Sequence, residues 1–170
     1  MRWTIIALIV LFAGKSCTQE GFEIKNQTKK SINLPFNLES NSMSLNPANE
    51  SKLKYVIYID GDCGSCIEKI FKWKDLPNDS PLYSIPKIYI VGTSNIPRFE
   101  FMMEHSNIKF EYFMDSLGLY LQINEIDNPA FHTLLLNKDN NIIAYGDPFA
   151  GRKNLLKHEK AIRLSALRRR

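Results

Sequence analysis

The sequence predicts an α/β fold, a central mixed sheet flanked by helices, and three observations carry that prediction. Apolar runs of strand length alternate with stretches of helical periodicity; a C-x-x-C pair lies between the first such strand and the first such helix; and an Asn/Asp-rich stretch separates two late apolar runs. With 170 residues, 44% of them hydrophobic, the chain is long enough for one domain with a sizeable core and short for two.

Taken in order, Lys54 to Asp60 contains the β-branched and aromatic run Tyr55-Val56-Ile57-Tyr58-Ile59, the continuity expected of a strand buried on both faces, and it stops at Gly61. Ile67, Ile70 and Phe71 then recur at helical spacing, and Pro77 follows Leu76, so a helix is expected from about Cys63 to Leu76. Lys87 to Gly92 reads as a second strand. Ser94 or Asn95 can cap a helix that has Pro97 in its first turn and Phe99, Met102 and Met103 as its apolar side. Phe110 to Met114 reads as a third strand and Ser116 to Ile123 as a loose helix. Thr133-Leu134-Leu135-Leu136 and Ile142-Ile143-Ala144-Tyr145 flank Asn137-Lys138-Asp139-Asn140-Asn141, a composition suited to a hairpin. A terminal helix is expected from about Arg152, and no internal repeat is visible.

The two ends differ from the body. Arg2 is a short basic start, and Ile5 to Ala13 is an apolar run that fits a targeting segment and falls short of the roughly 20 residues needed to cross a bilayer. Leu11-Phe12-Ala13-Gly14-Lys15-Ser16-Cys17 resembles a loose bacterial lipobox, with Lys15 departing from the usual small residue. Residues 1–16 are therefore expected to be a signal peptide and Cys17 the lipidated residue. An ordinary secretory signal and an uncleaved anchor are the alternatives, and all three place the domain outside the cytoplasm. Residues 17–50, rich in Asn, Ser, Lys and Gln, read as a tether with edge structure around Ile32 to Leu38. At the other end, the last nineteen residues hold eight Lys or Arg against Glu159 alone, and 166–170 form a basic tip. A solvated helix terminus explains that charge more simply than a contact with anionic lipid. No aromatic residues interleave the cations after Phe149, so nucleic acid is not an expected partner.

Three cysteines are too few for a disulfide scaffold, so Cys63 and Cys66 need a chemistry of their own. Thiol–disulfide exchange needs one thiolate that attacks and a second thiol near enough to expel the mixed disulfide, and a spacing of three at the start of a helix provides both. The first sulfur meets the positive end of the helix dipole, and the second sits one turn in. That makes Cys63 the nucleophile and Cys66 the resolving thiol. A zinc site would want further ligands at matching spacing, and the sequence has only His105, His132 and His158, far apart. A permanent structural disulfide remains open, because spacing does not separate a bond that cycles from one that stays shut.

With Ile57-Tyr58-Ile59-Asp60-Gly61-Asp62-Cys63 forming strand, turn and C-x-x-C, about residues 51 to 160 resemble the thioredoxin superfamily, particularly the extracytoplasmic TlpA and redoxin-type lipoproteins of Bacteroidetes-like bacteria. Phe131 to Ile143 looks like the family's hairpin, and Gly146-Asp147-Pro148 follows as in such redoxins. The resemblance implies a thioredoxin-like domain over 51–165, catalytic Cys63 and Cys66, no cofactor, and a redox protein or disulfide-bearing protein as partner. The cell envelope is the implied place, on its periplasmic face, with the membrane reached through lipid at Cys17.

The sequence departs from the family in several places. Pro129 lies too early for the family's cis-proline, and aligning the hairpin puts Phe131 there. Asp62 replaces an aromatic residue and, with Asp60, should disfavour the neighbouring thiolate. Ile57 falls where thioredoxin has a buried acid. Peroxide reduction would call for a Thr-x-x-Cys pocket with an arginine, which Asp60-Gly61-Asp62-Cys63 does not offer. The expected function is therefore thiol–disulfide oxidoreduction. Its rival is a non-catalytic lipoprotein that binds a partner through the same fold, its Cys63–Cys66 bond clamping the helix start. His132 is expected at a strand edge rather than in catalysis, and Met102 and Met103 as core filling.

Overall fold

The computed structural model describes residues 30–34, 51–106 and 108–167. Among the described residues, five strands form one mixed sheet, in the order β3-β2-β1-β4-β5. They are β1 (Leu53–Asp60), β2 (Lys87–Gly92), β3 (Phe113–Met114), β4 (Thr133–Asn137) and β5 (Ile142–Tyr145). The helices are α1 (Gly64–Lys74), α2 (Ile96–His105), α3 (Leu119–Ile123) and α4 (Arg152–Leu167), with a 3₁₀ turn at Pro129–Phe131. Among the described residues, no helix is long and apolar enough to cross a membrane.

Strand β1 is central because its side chains are apolar on both faces. Tyr55, Ile57 and Ile59 enter one core with Ile67, Ile70 and Trp73 of α1 and Phe99 and Met103 of α2; Val56 and Tyr58 enter a second core with Ile90, Tyr120, Phe131 and Leu134. At roughly 1.5–3 kcal/mol for each large side chain taken from water, this continuity makes the middle of the sheet the main stabilising layer. Strands β1 and β2 run parallel with Asp60 opposite Gly92, so the two chains leave the sheet side by side at the same end. Strands β1 and β4 run antiparallel with Ile57 opposite Thr133, which brings the approach to β4 to that end as well.

Two elements begin later than the sequence suggests. Strand β3 contains only Phe113 and Met114, because Phe110 and Tyr112 pack their rings edge-on to Tyr89 and Phe99, at 5.2 and 5.4 Å between centroids, instead of extending the ladder. Helix α3 starts at Leu119 rather than Ser116: the buried Asp115 carboxylate accepts the Leu119 and Tyr120 N–H groups at 2.8 and 3.0 Å. Gly118 makes that turn with φ +65°, a conformation side chains with a Cβ disfavour. Residues 30–34 supply the edge structure expected near Ile32: Ser31 bridges antiparallel to Asn141, and Ile32 and Leu34 are buried in the second core. The rest of that segment, residues 35–38, lies outside the described residues, as do 1–16, Cys17 and 168–170.

Candidate functional site: a disulfide at the end of the central strand

The site forms where β1 ends. Gly61 donates its N–H to the Gly92 carbonyl at 2.7 Å and faces Thr93, Val91 and Phe99 so closely that a Cβ would lie only 3.0 to 3.1 Å from them. That close approach lets the chain turn immediately, and Cys63 donates its N–H back to the Asp60 carbonyl at 3.2 Å. Cys63 is the residue that opens α1, with extended backbone, and its carbonyl accepts the Cys66 and Ile67 N–H groups at 3.0 and 3.2 Å. No side chain caps these first N–H groups and no acidic residue lies in the first turn, so the positive end of α1 is left to the sulfurs.

Cys63 and Cys66 form a disulfide, with Cα atoms 5.2 Å apart, well within the range such a bond requires. The two expected site residues are thus joined, and both are partly exposed. The Ser65 hydroxyl lies 3.2 Å from the Cys63 sulfur, where it can donate to a thiolate after reduction. Cys63 is therefore reachable and has two sources of stabilisation for negative charge.

The acidic approach to the pair divides into two different environments. Asp62 accepts the Thr93 hydroxyl at 2.7 Å and both the N–H and hydroxyl of Ser94 at 2.9 Å. The Ser94 N–H first, then the Thr93 and Ser94 hydroxyls, hold the Asp62 carboxyl below the usual carboxylate range. The carboxylate ties the turn before α1 to the loop before α2, a bridge made available by the Asp60–Gly92 register, and it caps neither helix. Asn95 is the cap of α2, accepting the Arg98 N–H at 3.1 Å. Asp60 instead stays with the sulfurs: its carboxylate accepts the Asp62 N–H at 3.0 Å, and one of its oxygens lies within 4.8 Å of the sulfur of Cys63 and of Cys66. Three such donors are fewer than the four of a closed zinc site, and sulfurs joined in a disulfide offer no thiolate to a metal.

Strand β4 begins at Thr133, so the residue immediately before it is His132 and not Phe131. Phe131 is instead buried in the second core, its ring stacked on Tyr145 with centroids 4.5 Å apart. Pro129 opens the 3₁₀ turn, and every peptide bond of the described residues is trans. The His132 carbonyl accepts the Tyr58 N–H at 2.7 Å and its ring meets the Tyr58 ring edge-on at 5.0 Å. Burial holds the imidazole below its ordinary pKa, Lys69 of α1 adds to that, and Asp60 opposes it. His132 is thus neutral at pH 7 and sits at the same end of the sheet as the disulfide. Tyr58 itself stacks on Tyr120 at 6.0 Å, and burial pushes its hydroxyl up to about 12, so it remains protonated.

Thr93 and Ser94 are site residues that sequence reading misses, Ser94 entering only as a helix-capping candidate and Thr93 not at all, since nothing local says that Asp62 reaches across to them. A concavity of about 500 Å³ beside Met103, Ile108 and Phe110 shares no residue with this site.

No family profile matches the sequence, and no curated protein matches it. Solved structures do match. A chain described as thiol:disulfide interchange protein DsbE from Chlorobium tepidum aligns with a TM-score of 0.59 at 13% identity, covering 78% of this chain and 97% of that one. The pneumococcal exposed lipoprotein thioredoxin Etrx1 from Streptococcus pneumoniae aligns with a TM-score of 0.47 at 11% identity, over 67% and 87%. The N-terminal domain of PilB from Neisseria gonorrhoeae gives 0.42 at 14% identity, over 59% and 70%. The first of these alignments shows that the chain has a thioredoxin-like fold, and at 13% identity the likeness concerns the fold alone.

Proposed function

We propose that this protein is a thiol–disulfide oxidoreductase working outside the cytoplasm. The observation that carries the proposal is the Cys63–Cys66 disulfide at the uncapped start of α1, at the carboxyl end of the central strand. In the reducing direction the Cys63 thiolate attacks one sulfur of a partner disulfide; a Cys63–partner bond forms, the partner's other sulfur leaves as a thiolate and takes up a proton. Cys66 then loses its proton and attacks the Cys63 sulfur, which closes the Cys63–Cys66 bond and releases the partner's second thiolate. Two electrons pass to the partner, and another redox protein restores the dithiol.

The sequence supports an envelope location and a lipid on Cys17: an apolar run too short to span, then a loose lipobox. On that reading residues 1–16 are removed, 17–50 tether the domain, 51–165 are the thioredoxin-like unit and 166–170 its basic tip. The test uses full-length protein in detergent. Cys63→Ser should abolish insulin-type disulfide reduction, and Cys66→Ser should accumulate mixed disulfides, because only the outer sulfur can start the exchange. Reduction by both variants at the unmutated rate would remove the enzymatic reading and leave the disulfide as a clamp on α1 in a partner-binding lipoprotein.

A further inference from the structure

We infer that Asp60 poises the Cys63–Cys66 pair to give electrons away, so that the protein reduces disulfides rather than oxidising thiols; this rests on the oxidoreductase reading above. The argument is geometric. One Asp60 oxygen lies within 4.8 Å of both sulfurs, the Asp62 N–H fixes the carboxylate at 3.0 Å, and among the described residues neither ion pair includes Asp60. A carboxylate at that distance raises the energy of a thiolate and leaves a neutral disulfide nearly untouched. It therefore favours the oxidised pair, and a pair that favours its oxidised state is a donor.

Other charged groups lie at this end of the sheet, and most have partners of their own. Asp62, in the same turn, is committed to Thr93 and Ser94, and Arg98 of α2 faces Asp62. Lys69 of α1 acts on His132 in the opposite sense to Asp60, and Asp115, ahead of α3, is buried and spends its oxygens on the Leu119 and Tyr120 N–H groups. Opposing Asp60 are the positive end of α1 and the Ser65 hydroxyl. The Ser65 hydroxyl reaches Cys63 alone, whereas Asp60 lies near both sulfurs.

The half-reaction is balanced as dithiol to disulfide plus two protons and two electrons, the electrons going to a partner disulfide that becomes two thiols. Because Asp60 acts only on a thiolate, its effect on the equilibrium is small below the thiol pKa and complete above it. The experiment equilibrates full-length protein in detergent, wild type and Asp60→Asn, with glutathione buffers at pH 7 and pH 9, and reads the fraction of disulfide by alkylation. Asp60→Asn should be half oxidised at a lower ratio of squared glutathione to glutathione disulfide, by about twofold at pH 7 and about tenfold at pH 9, the latter equal to about 30 mV. In a Cys66→Ser background, Asp60→Asn should lower the Cys63 thiol pKa by about one unit, and Asp60→Glu should restore most of both effects. A gap of equal size at both pH values would mean that the substitution acts through folding, and together with an unmoved thiol pKa it overturns the inference. A wild-type pair that never exchanges with glutathione removes the oxidoreductase reading too. One that exchanges freely while Asp60→Asn shows no pH-dependent gap removes this inference alone.

Discussion

His158 is fully buried on α4, where its Nδ1 accepts from the Tyr55 hydroxyl at 3.1 Å and its Nε2–H donates to the Gly146 carbonyl at 2.8 Å. That assignment of the ring proton follows from the carbonyl, which can only accept. His158→Phe keeps a ring of similar size but orphans both partners. At about 1–3 kcal/mol for each buried polar group left alone, the loss should be about 2–5 kcal/mol at pH 7.5. Adding Tyr55→Phe removes one orphan and should recover about 1–2 kcal/mol, an interaction visible in a double-mutant cycle.

The same site gives a pH dependence with a definite sign. Burial, chiefly, holds the His158 pKa below 6.5, with Lys157 in the same direction and the Gly146 bond opposing. As pH falls through 6.5 the unfolded chain takes up a proton that the folded chain refuses, so stability declines, by at most about 1.4 kcal/mol per pH unit for one group. Urea unfolding at pH 7.5 and 5.5 should therefore show the wild type losing about 1 kcal/mol more than His158→Phe. Equal losses in the two proteins, or a His158→Phe cost below about 1 kcal/mol at pH 7.5, would refute this account of the buried pair.

Other expectations concern the turn, the sheet and the terminus. A Cβ at Gly92 would overlap the Tyr58 hydroxyl, so Gly92→Ala should cost about 1–3 kcal/mol by overpacking in urea denaturation. Asp62→Asn should flatten the acid limb of the stability curve, since a carboxyl held low by Ser94 and Thr93 stabilises above its unfolded pKa and stops doing so as pH falls through its folded one; an unchanged acid limb would show that the bridge to Thr93 and Ser94 does not form. Cys17→Ala should remove acylation of the mature terminus by mass spectrometry, and an unmodified terminus elsewhere in the unmutated protein would end the lipoprotein proposal.

What local chemistry governs is legible along the chain. The run Tyr55 to Ile59 has the continuity of a strand buried on both faces, Ile67, Ile70 and Phe71 recur at helical spacing within Cys63 to Leu76, and the Asn/Asp-rich stretch after Leu136 suits a hairpin; all three stand in the structure at nearly the expected bounds. The joined pair Cys63 and Cys66 was legible for the same reason, since three residues of spacing at a helix start bring two sulfurs together. What the sequence left undivided is the acidic approach, where Asp60 and Asp62 are alike as residues. The parallel register of β1 on β2 lays Thr93 and Ser94 beside one of them, and the tight turn at Gly61 leaves the other with the sulfurs. Likewise His158, which looks like one more polar residue on a basic helix, is buried because α4 packs on the sheet beside Tyr55. Donors and acceptors distant in the chain select which charges are neutralised and which are free to act, and only the packing of strands and helices decides which of them meet.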